Sequence, residues 1–395
     1  MRVLTAIHGL VVFAAQAQQP VTRQQAIEAA RARGPRVTVA AADTSLARAQ
    51  LAIARAFQNP TVTGEYTKSP PQRHLTIDLP LDFPWLRAAR TGAARLAASA
   101  GRYRFAGERA GARFDADVAY TRALAAQGHA DITRRSALDA DTLLRMSVVR
   151  RDAGDASELD VQLATVSAGQ LFNDAQRDSV EAIGLLLEIQ AIMGLPADRV
   201  TIALADSLVL PDDSIVTPGG PTLAVAAARA DLAAQERTLS LESRSLLPAP
   251  SLLAGVETGD PGGTEGELLP LIGVSISLPL LNRNRGPIAA ARANRDRAQA
   301  KLAVAEQESI GQIARAMRER RAAVERATRA AQLVESANRI TAMSRTAYVE
   351  GAAGLASVLE TQRNARETLG RYIDDLAAAN LADAALRLAT TTETP

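Results

Sequence analysis

Two long stretches of the chain place apolar residues at steps of three and four. Leu159, Leu163, Val166 and Leu171 follow this spacing in the first, and Leu355, Val358, Leu359 and Leu369 in the second. Side chains so spaced share one face of an α-helix. All eighteen prolines stay outside two windows, one between Pro84 and Pro196 and one between Pro287 and Pro395. Proline interrupts helix interiors, so each window is free to be helical throughout. Ala, Arg, Leu, Glu and Gln dominate both windows and are good helix formers. A glycine-bearing break divides each: Arg151 to Ser157 around Gly154, and Glu350 to Gly354 around Gly351. The pattern predicts two helical hairpins with arms of about 60 and 40 residues, the longer reaching on the order of 90 Å at the usual rise. Such lengths belong to coiled coils and helical tubes rather than to globular helices.

Upstream of each hairpin the period changes to two. Leu75, Ile77, Leu79 and Leu81 take one face and Thr76 and Asp78 the other. Further on, Ile272, Val274, Ile276 and Leu278 oppose Gly273, Ser275 and Ser277. With the partner segments Thr61 to Thr67 and Ser251 to Glu257, and loops at 68–73 and 258–267, these read as two β-hairpins. The two halves repeat one another. Ile77-Asp78-Leu79-Pro80-Leu81 returns as Ile276-Ser277-Leu278-Pro279-Leu280, and Gly154 returns as Gly351. A shorter helix precedes each β-hairpin: Thr22 to Phe57, interrupted at Gly34-Pro35, and Thr222 to Leu247. The expected organisation is a first repeat at 18–196, a linker at 197–221, a second repeat at 222–390 and a tail at 391–395. The fold class is mainly α with a small β part. Four short strands leave two open edges, a hazard that a barrel shared between copies removes. Strands of about 9–11 residues with apolar-out, polar-in alternation match an outer-membrane barrel. Phe83 and Trp85 suit either an interfacial aromatic belt or plain packing where sheet meets helix.

Composition narrows the choice of function. Hydrophobic residues are 47% and charged residues 22%, so the chain folds. Aromatics are only 3%, and alanine fills about a fifth of the chain, which suits helices packed through small side chains. The absence of cysteine excludes disulfides, thiolate metal sites and a lipid-bearing N-terminal cysteine. His74 and His129 stand isolated in the sequence, and no metal-ligand role is expected for them. No cofactor is implied, and no nucleophile–base pair or phosphate loop suggests an enzyme. The net charge is +2; all but two of the 45 basic residues are arginine, and no basic run suggests nucleic acid. Residues 1–17 read as a signal peptide: Arg2, an apolar stretch from Val3 to Ala15, and Ala15-Gln16-Ala17 as a small-x-small cleavage site.

Three motifs occur in a fixed order. They are Ala191-Ile192-Met193-Gly194-Leu195-Pro196, Val274-Ser275-Ile276-Ser277-Leu278-Pro279-Leu280-Leu281-Asn282, and Tyr348-Val349-Glu350-Gly351. With the duplication they make the chain resemble the TolC-like outer-membrane efflux proteins over nearly all of its mature length. Asn282-Arg283-Asn284-Arg285-Gly286-Pro287 is similar to the heavy-metal-efflux, CzcC-like branch. The resemblance implies a homotrimer with a twelve-stranded barrel in outer-membrane lipid and an α-helical tunnel through the periplasm. It implies a passive exit duct, coupled through a periplasmic adaptor protein to an inner-membrane pump. By the same resemblance Gly154 and Gly351 mark hairpin turns that meet the adaptor, while Asp160, Tyr348 and Glu360 belong to a periplasmic gate. The family's gate arginine falls at Ala353, and one of its two ring acids falls at Ser357. An alternative of another class is a periplasmic coiled-coil scaffold or adaptor without a membrane-spanning barrel.

Overall fold

A computed structural model describes residues 18–69, 71–212, 219–245, 250–258, 268–276 and 283–392. The candidate leader, the stretch 277–282 of the second motif and the last three residues lie outside this range. Along the chain, β1 (Gln19–Val21), α1 (Arg23–Arg33) and α2 (Pro35–Arg55) lead into β2 (Thr61–Tyr66) and β3 (Arg73–Pro80). The first long hairpin is α3 (Pro84–Asp152) and α4 (Glu158–Ile192). After β4 (Ile202–Leu204), the second repeat runs α5 (Leu223–Arg244), β5 (Pro250–Thr258), β6 (Leu269–Ile276), α6 (Arg285–Val349) and α7 (Leu355–Ala389). The order of elements is the one the prolines and glycines imply. The arms differ from expectation in length: 69 and 35 residues in the first hairpin, 65 and 35 in the second. Pro84 and Pro287 explain the gain, because proline is tolerated in a first helical turn, where its missing N–H is not needed.

The chain forms two compact units that cut across the repeats. One takes residues up to Val37, Ala110–Val216 and Arg315–Leu388; the other takes Thr38–Arg109, Thr217–Ala314 and the residues from Ala389 on.

The first unit is helical, and its interior is built largely from alanine. Ala26, Ala119 and Ala123 share one cluster with Tyr120, Leu186, Ile189 and Ile202. Ala323, Ala327 and Ala379 form another with Leu376. Small contact residues let helix axes approach closely. Buried polar side chains then fasten the segment that joins the repeats. Gln190 is fully buried. Its amide nitrogen donates to the carbonyls of Pro196 (2.7 Å) and Arg199 (2.9 Å), and its oxygen accepts from the Thr201 N–H at 2.7 Å. Tyr120 donates its hydroxyl to the Val21 carbonyl at 2.8 Å. That contact fixes β1, which pairs in parallel with β4. Further along, Asn380 donates to the Val209 carbonyl at 2.8 Å, and Arg320 donates to that of Asp212. Arg320 also pairs with Asp383 at 2.7 Å. The linker thus contributes one strand, β4, and three anchored carbonyls, those of Arg199, Val209 and Asp212.

The second unit carries an antiparallel sheet in the order β2-β3-β5-β6. The register aligns Val62 with Ile77, Leu75 with Val256, Leu79 with Leu252, and Leu252 with Val274. One face therefore gathers Val62, Tyr66, Leu75, Ile77, Leu79, Leu252, Ile272, Val274 and Ile276, and all nine side chains are exposed. The other carries Thr61, Thr63, Glu65, His74, Thr76, Asp78, Ser251, Gly255, Glu257 and Ser275, with Leu253 and Leu271 among them. The expected alternation is present with the apolar side chains pointing away from the protein. The histidines are not isolated. Nδ1 of His74 lies 3.1 Å from Glu257, and Nε2 of His129 lies 2.8 Å from Asp374. Each thus joins the first repeat to a carboxylate of the second, 183 and 245 residues away.

Burial pushes the Tyr120 hydroxyl up to about 12, whereas a tyrosine in an unfolded chain ionises near 10. The folded state holds the proton more tightly, so stability is full below about 10 and is lost as pH rises through about 12. Denaturant titrations across this window should show that loss. Tyr120→Phe should lower stability at pH 8 by about 1 kcal/mol and flatten the alkaline decline. An unchanged decline would assign it to other groups.

Candidate functional site

The turns of the two long hairpins are built alike. α3 ends on residues whose carbonyls the following turn satisfies: the N–H of Asp155 donates to Arg150 at 2.8 Å and that of Gly154 to Arg151 at 2.9 Å. At the second turn the N–H of Ala352 donates to Ala347 at 2.8 Å and that of Gly351 to Tyr348 at 3.1 Å. Both are Schellman closures, which need a left-handed residue just past the helix. Gly154 has φ +84° and Gly351 has φ +74°. The glycines named from sequence therefore sit where the chain reverses.

Asp160 starts α4. Ser157 is the N-cap, and its side chain accepts from the Asp160 N–H at 3.1 Å. The Asp160 carboxylate accepts from the Ser157 N–H at 3.0 Å and from its hydroxyl at 2.8 Å. This is a capping box, which ties off donors at the exposed helix start. Its carboxylate also suits the positive end of the helix dipole.

Tyr348 is 3% exposed, packed with Leu143, Ala164, Leu355 and Val358. Its hydroxyl is buried with no hydrogen-bond partner among the described residues. Burial pushes the hydroxyl above its ordinary range; the Arg150 charge opposes this, and the Asp160 charge adds to it. Asp160 and Tyr348 thus share one neighbourhood without a hydrogen bond between them. Glu360 is exposed on α7 and makes no ion pair or hydrogen bond among the described residues.

Arg150 was not singled out from the sequence. It donates to the Tyr348 carbonyl at 2.7 Å, and its guanidinium lies 5.0 Å from the centre of the Tyr348 ring. A side chain placed at Gly351 would lie 3.6 Å from it. A cation thus reaches Tyr348 from the end of α3. The one available signal was the pair Arg150-Arg151 just ahead of Gly154, and nothing local points either residue at Tyr348. Among the described residues, no group of three or more His, Asp or Glu side chains is placed to hold a metal ion.

Residues 221–392 match the family model described as outer membrane efflux protein. The second repeat is an outer membrane efflux protein domain. The chain is also similar to the nickel-cobalt-cadmium resistance protein NccC of Alcaligenes xylosoxydans xylosoxydans, at 27% identity over 305 residues, 72% of this chain and 68% of that one. In structure it resembles the outer membrane protein VceC of Vibrio cholerae, with a TM-score of 0.76 at 18% identity over 93% of this chain and 95% of that one. It also resembles the CmeC outer membrane channel of Campylobacter jejuni, with a TM-score of 0.80 at 14% identity over 100% and 95%. The first repeat shares this channel fold, although the family model reaches only the efflux domain. The proteins matched are efflux proteins and channels rather than enzymes.

Valine at position 351 should cost about 1–3 kcal/mol, because a branched side chain is strained at that φ. Asparagine tolerates the left-handed region and should cost much less. Thermal unfolding of Gly351→Val against Gly351→Asn checks this. Equal losses would mean that bulk, not backbone geometry, sets the requirement.

Proposed function

We propose that this protein is the outer-membrane exit duct of a tripartite efflux system and passively conducts what an inner-membrane pump delivers through a periplasmic adaptor. The observation that carries the reading is the four-stranded sheet of the second unit. Both its edge strands, β2 and β6, are open, and its apolar face is bare, with Ile272 81% and Val274 65% exposed. A water-soluble protein would cover such a face. In hydrocarbon it is the favourable arrangement, and edge pairing between three copies closes the barrel. No helix among the described residues is long and apolar enough to cross a membrane, so the sheet is the candidate membrane-crossing element. The helical unit offers further surface for the trimer: Leu159, Leu163 and Val166 on α4, and Leu333, Ile340 and Met343 on α6, are exposed at coiled-coil spacing. A scaffold or adaptor without a barrel leaves the apolar sheet face unexplained.

The similarity to a nickel-cobalt-cadmium resistance protein favours divalent heavy-metal cations as cargo. The turns at Gly154 and Gly351 are the adaptor-docking tips. Asp160, Tyr348 and Glu360 make the periplasmic gate: the buried Tyr348 hydroxyl, beside the Asp160 charge, gains its missing partner only when the hairpin turns repack, and three copies of Glu360 ring the axis. Fractionation should find the mature protein in the outer membrane, as a trimer in mild detergent. A stable monomer free of membrane would overturn the duct. Deleting its gene should sensitise cells to nickel, cobalt or cadmium; resistance unchanged toward all three would remove the cargo assignment.

The gate has its own test. One hydrogen bond contributes about 1 kcal/mol, and threefold repetition makes it cumulative. Asp160→Ala with Tyr348→Phe should raise single-channel conductance in planar bilayers while trimers remain intact. Glu360→Gln should lower cation preference and weaken block by multivalent cations, because a ring of carboxylates attracts them. No change in any of these quantities would leave the three residues as cap, core and surface positions.

A further inference from the structure

The sheet ends in a concentration of arginine that neither the barrel nor the gate uses. The strand ends Thr61, Pro80, Pro250 and Ile276 lie together at one end: Pro80 pairs with Ser251, Pro250 with Ile276, and the Leu81 N–H donates to the Pro250 carbonyl at 3.2 Å. At that end the chain passes into helices. Arg55 closes α2, Arg87 and Arg90 lie in the start of α3, Arg244 closes α5, and Arg283 and Arg285 open α6. The only acids in these junctions are Asp82 and Glu242. Asp82 is taken up by Arg90 at 2.8 Å and Arg87 at 3.8 Å. Glu242 accepts from the Asn284 amide at 3.0 Å. Arg55, Arg244, Arg283 and Arg285 are exposed and make no ion pair among the described residues.

Aromatic side chains stand beside them. Phe83, in the loop after β3, and Trp85, in the first turn of α3, stack with ring centres 4.6 Å apart. Trp85 is 46% and Phe57 66% exposed, and Arg87 covers the Phe57 ring at 4.0 Å. An apolar face, then stacked aromatics, then unpaired guanidinia is the sequence of environments from acyl chain through interface to headgroup.

We propose that this arginine collar binds anionic phospholipid headgroups of the periplasmic leaflet, with Phe83, Trp85 and Phe57 seated at the acyl boundary. The inference rests on the barrel reading above. Arginine suits the partner, because its planar fork donates two parallel hydrogen bonds to a phosphate. Basic residues held at an anionic surface each strengthen association roughly fivefold, an effect that salt screens. The occupant is a lipid surface rather than free phosphate, because the collar is continuous with the apolar sheet face.

Trp85 is the chain's single tryptophan, so its fluorescence reports this level alone. The mature trimer is reconstituted into vesicles containing phosphatidylglycerol or phosphatidylcholine with brominated acyl chains, which quench nearby tryptophan. At equal mole fraction, brominated phosphatidylglycerol should associate at least fivefold more strongly than brominated phosphatidylcholine, and 0.5 M salt should reduce the ratio, about 0.5 M being well beyond the screening threshold. The variant Arg55→Gln/Arg244→Gln/Arg283→Gln/Arg285→Gln should bring the ratio close to one while quenching by phosphatidylcholine persists, which shows that the barrel is still inserted. Equal quenching of the native protein by both lipids overturns the collar and leaves the barrel intact. Quenching by neither lipid overturns the barrel and the collar with it. A ratio unchanged in the variant also overturns the assignment.

Discussion

The helical unit depends on alanine as its main buried side chain. An alanine removes little apolar area from water, so each contact between helices stabilises weakly. The compensation is length and closeness: many small contacts repeated along arms of 69 and 65 residues. Small contacts also specify register poorly, because one alanine ridge fits a groove much as the next does. Register must therefore come from elsewhere. The few large buried residues, Tyr120, Ile189 and Leu355, and the polar side chains Gln190, Asn380 and Arg320 supply it. A buried polar group left without its partner costs far more than a slipped methyl group, and this asymmetry makes it a strict ruler. Gln190 alone measures the path from α4 through three backbone groups between Pro196 and Thr201.

The sheet is patterned the opposite way, with its apolar side chains outward. Its apolar face is bare and its polar face holds Thr, Ser, Asp and paired His74–Glu257. In water this arrangement is inside out; as one arc of a barrel with a wet interior it is in order. The cross-strand pair His74–Glu257 lies on the polar face, and it joins strands of different repeats, so the two β-hairpins act as one sheet rather than as two marginal ones.

Much of this was legible in the sequence because it is written locally. Prolines delimit the long helices, glycines mark their turns, and period-two alternation gives both faces of β3 and β6. What was not legible depends on partners distant along the chain. Tyr120 meets Val21 99 residues away, Arg150 meets Tyr348 198 residues away, and both histidines find carboxylates in the opposite repeat. Asp160 shows the same limit from the other side. Read by resemblance it is a gate carboxylate, and in the chain it closes a capping box with Ser157, three residues away.

The excess of arginine over lysine has structural work in this fold. At the ends of three helices an arginine of another helix donates to a carbonyl of the closing turn. Arg90 reaches Ala54 at 2.9 Å and Arg87 reaches Arg55 at 3.2 Å at the end of α2; Arg33 reaches Met193 at 3.1 Å past α4; Arg150 reaches Tyr348 at 2.7 Å at the end of α6. Each contact places a positive charge at the negative end of a helix dipole. A lysine could supply the charge but only from a single nitrogen. The guanidinium has five N–H groups in a fixed plane, so Arg90 caps a carbonyl and holds Asp82 at once, and Arg150 caps one while its plane covers the Tyr348 ring. In a protein whose helices are long and whose cores are small, the ends are where orientation is set. A side chain that binds two groups with one planar fork sets it with the fewest residues.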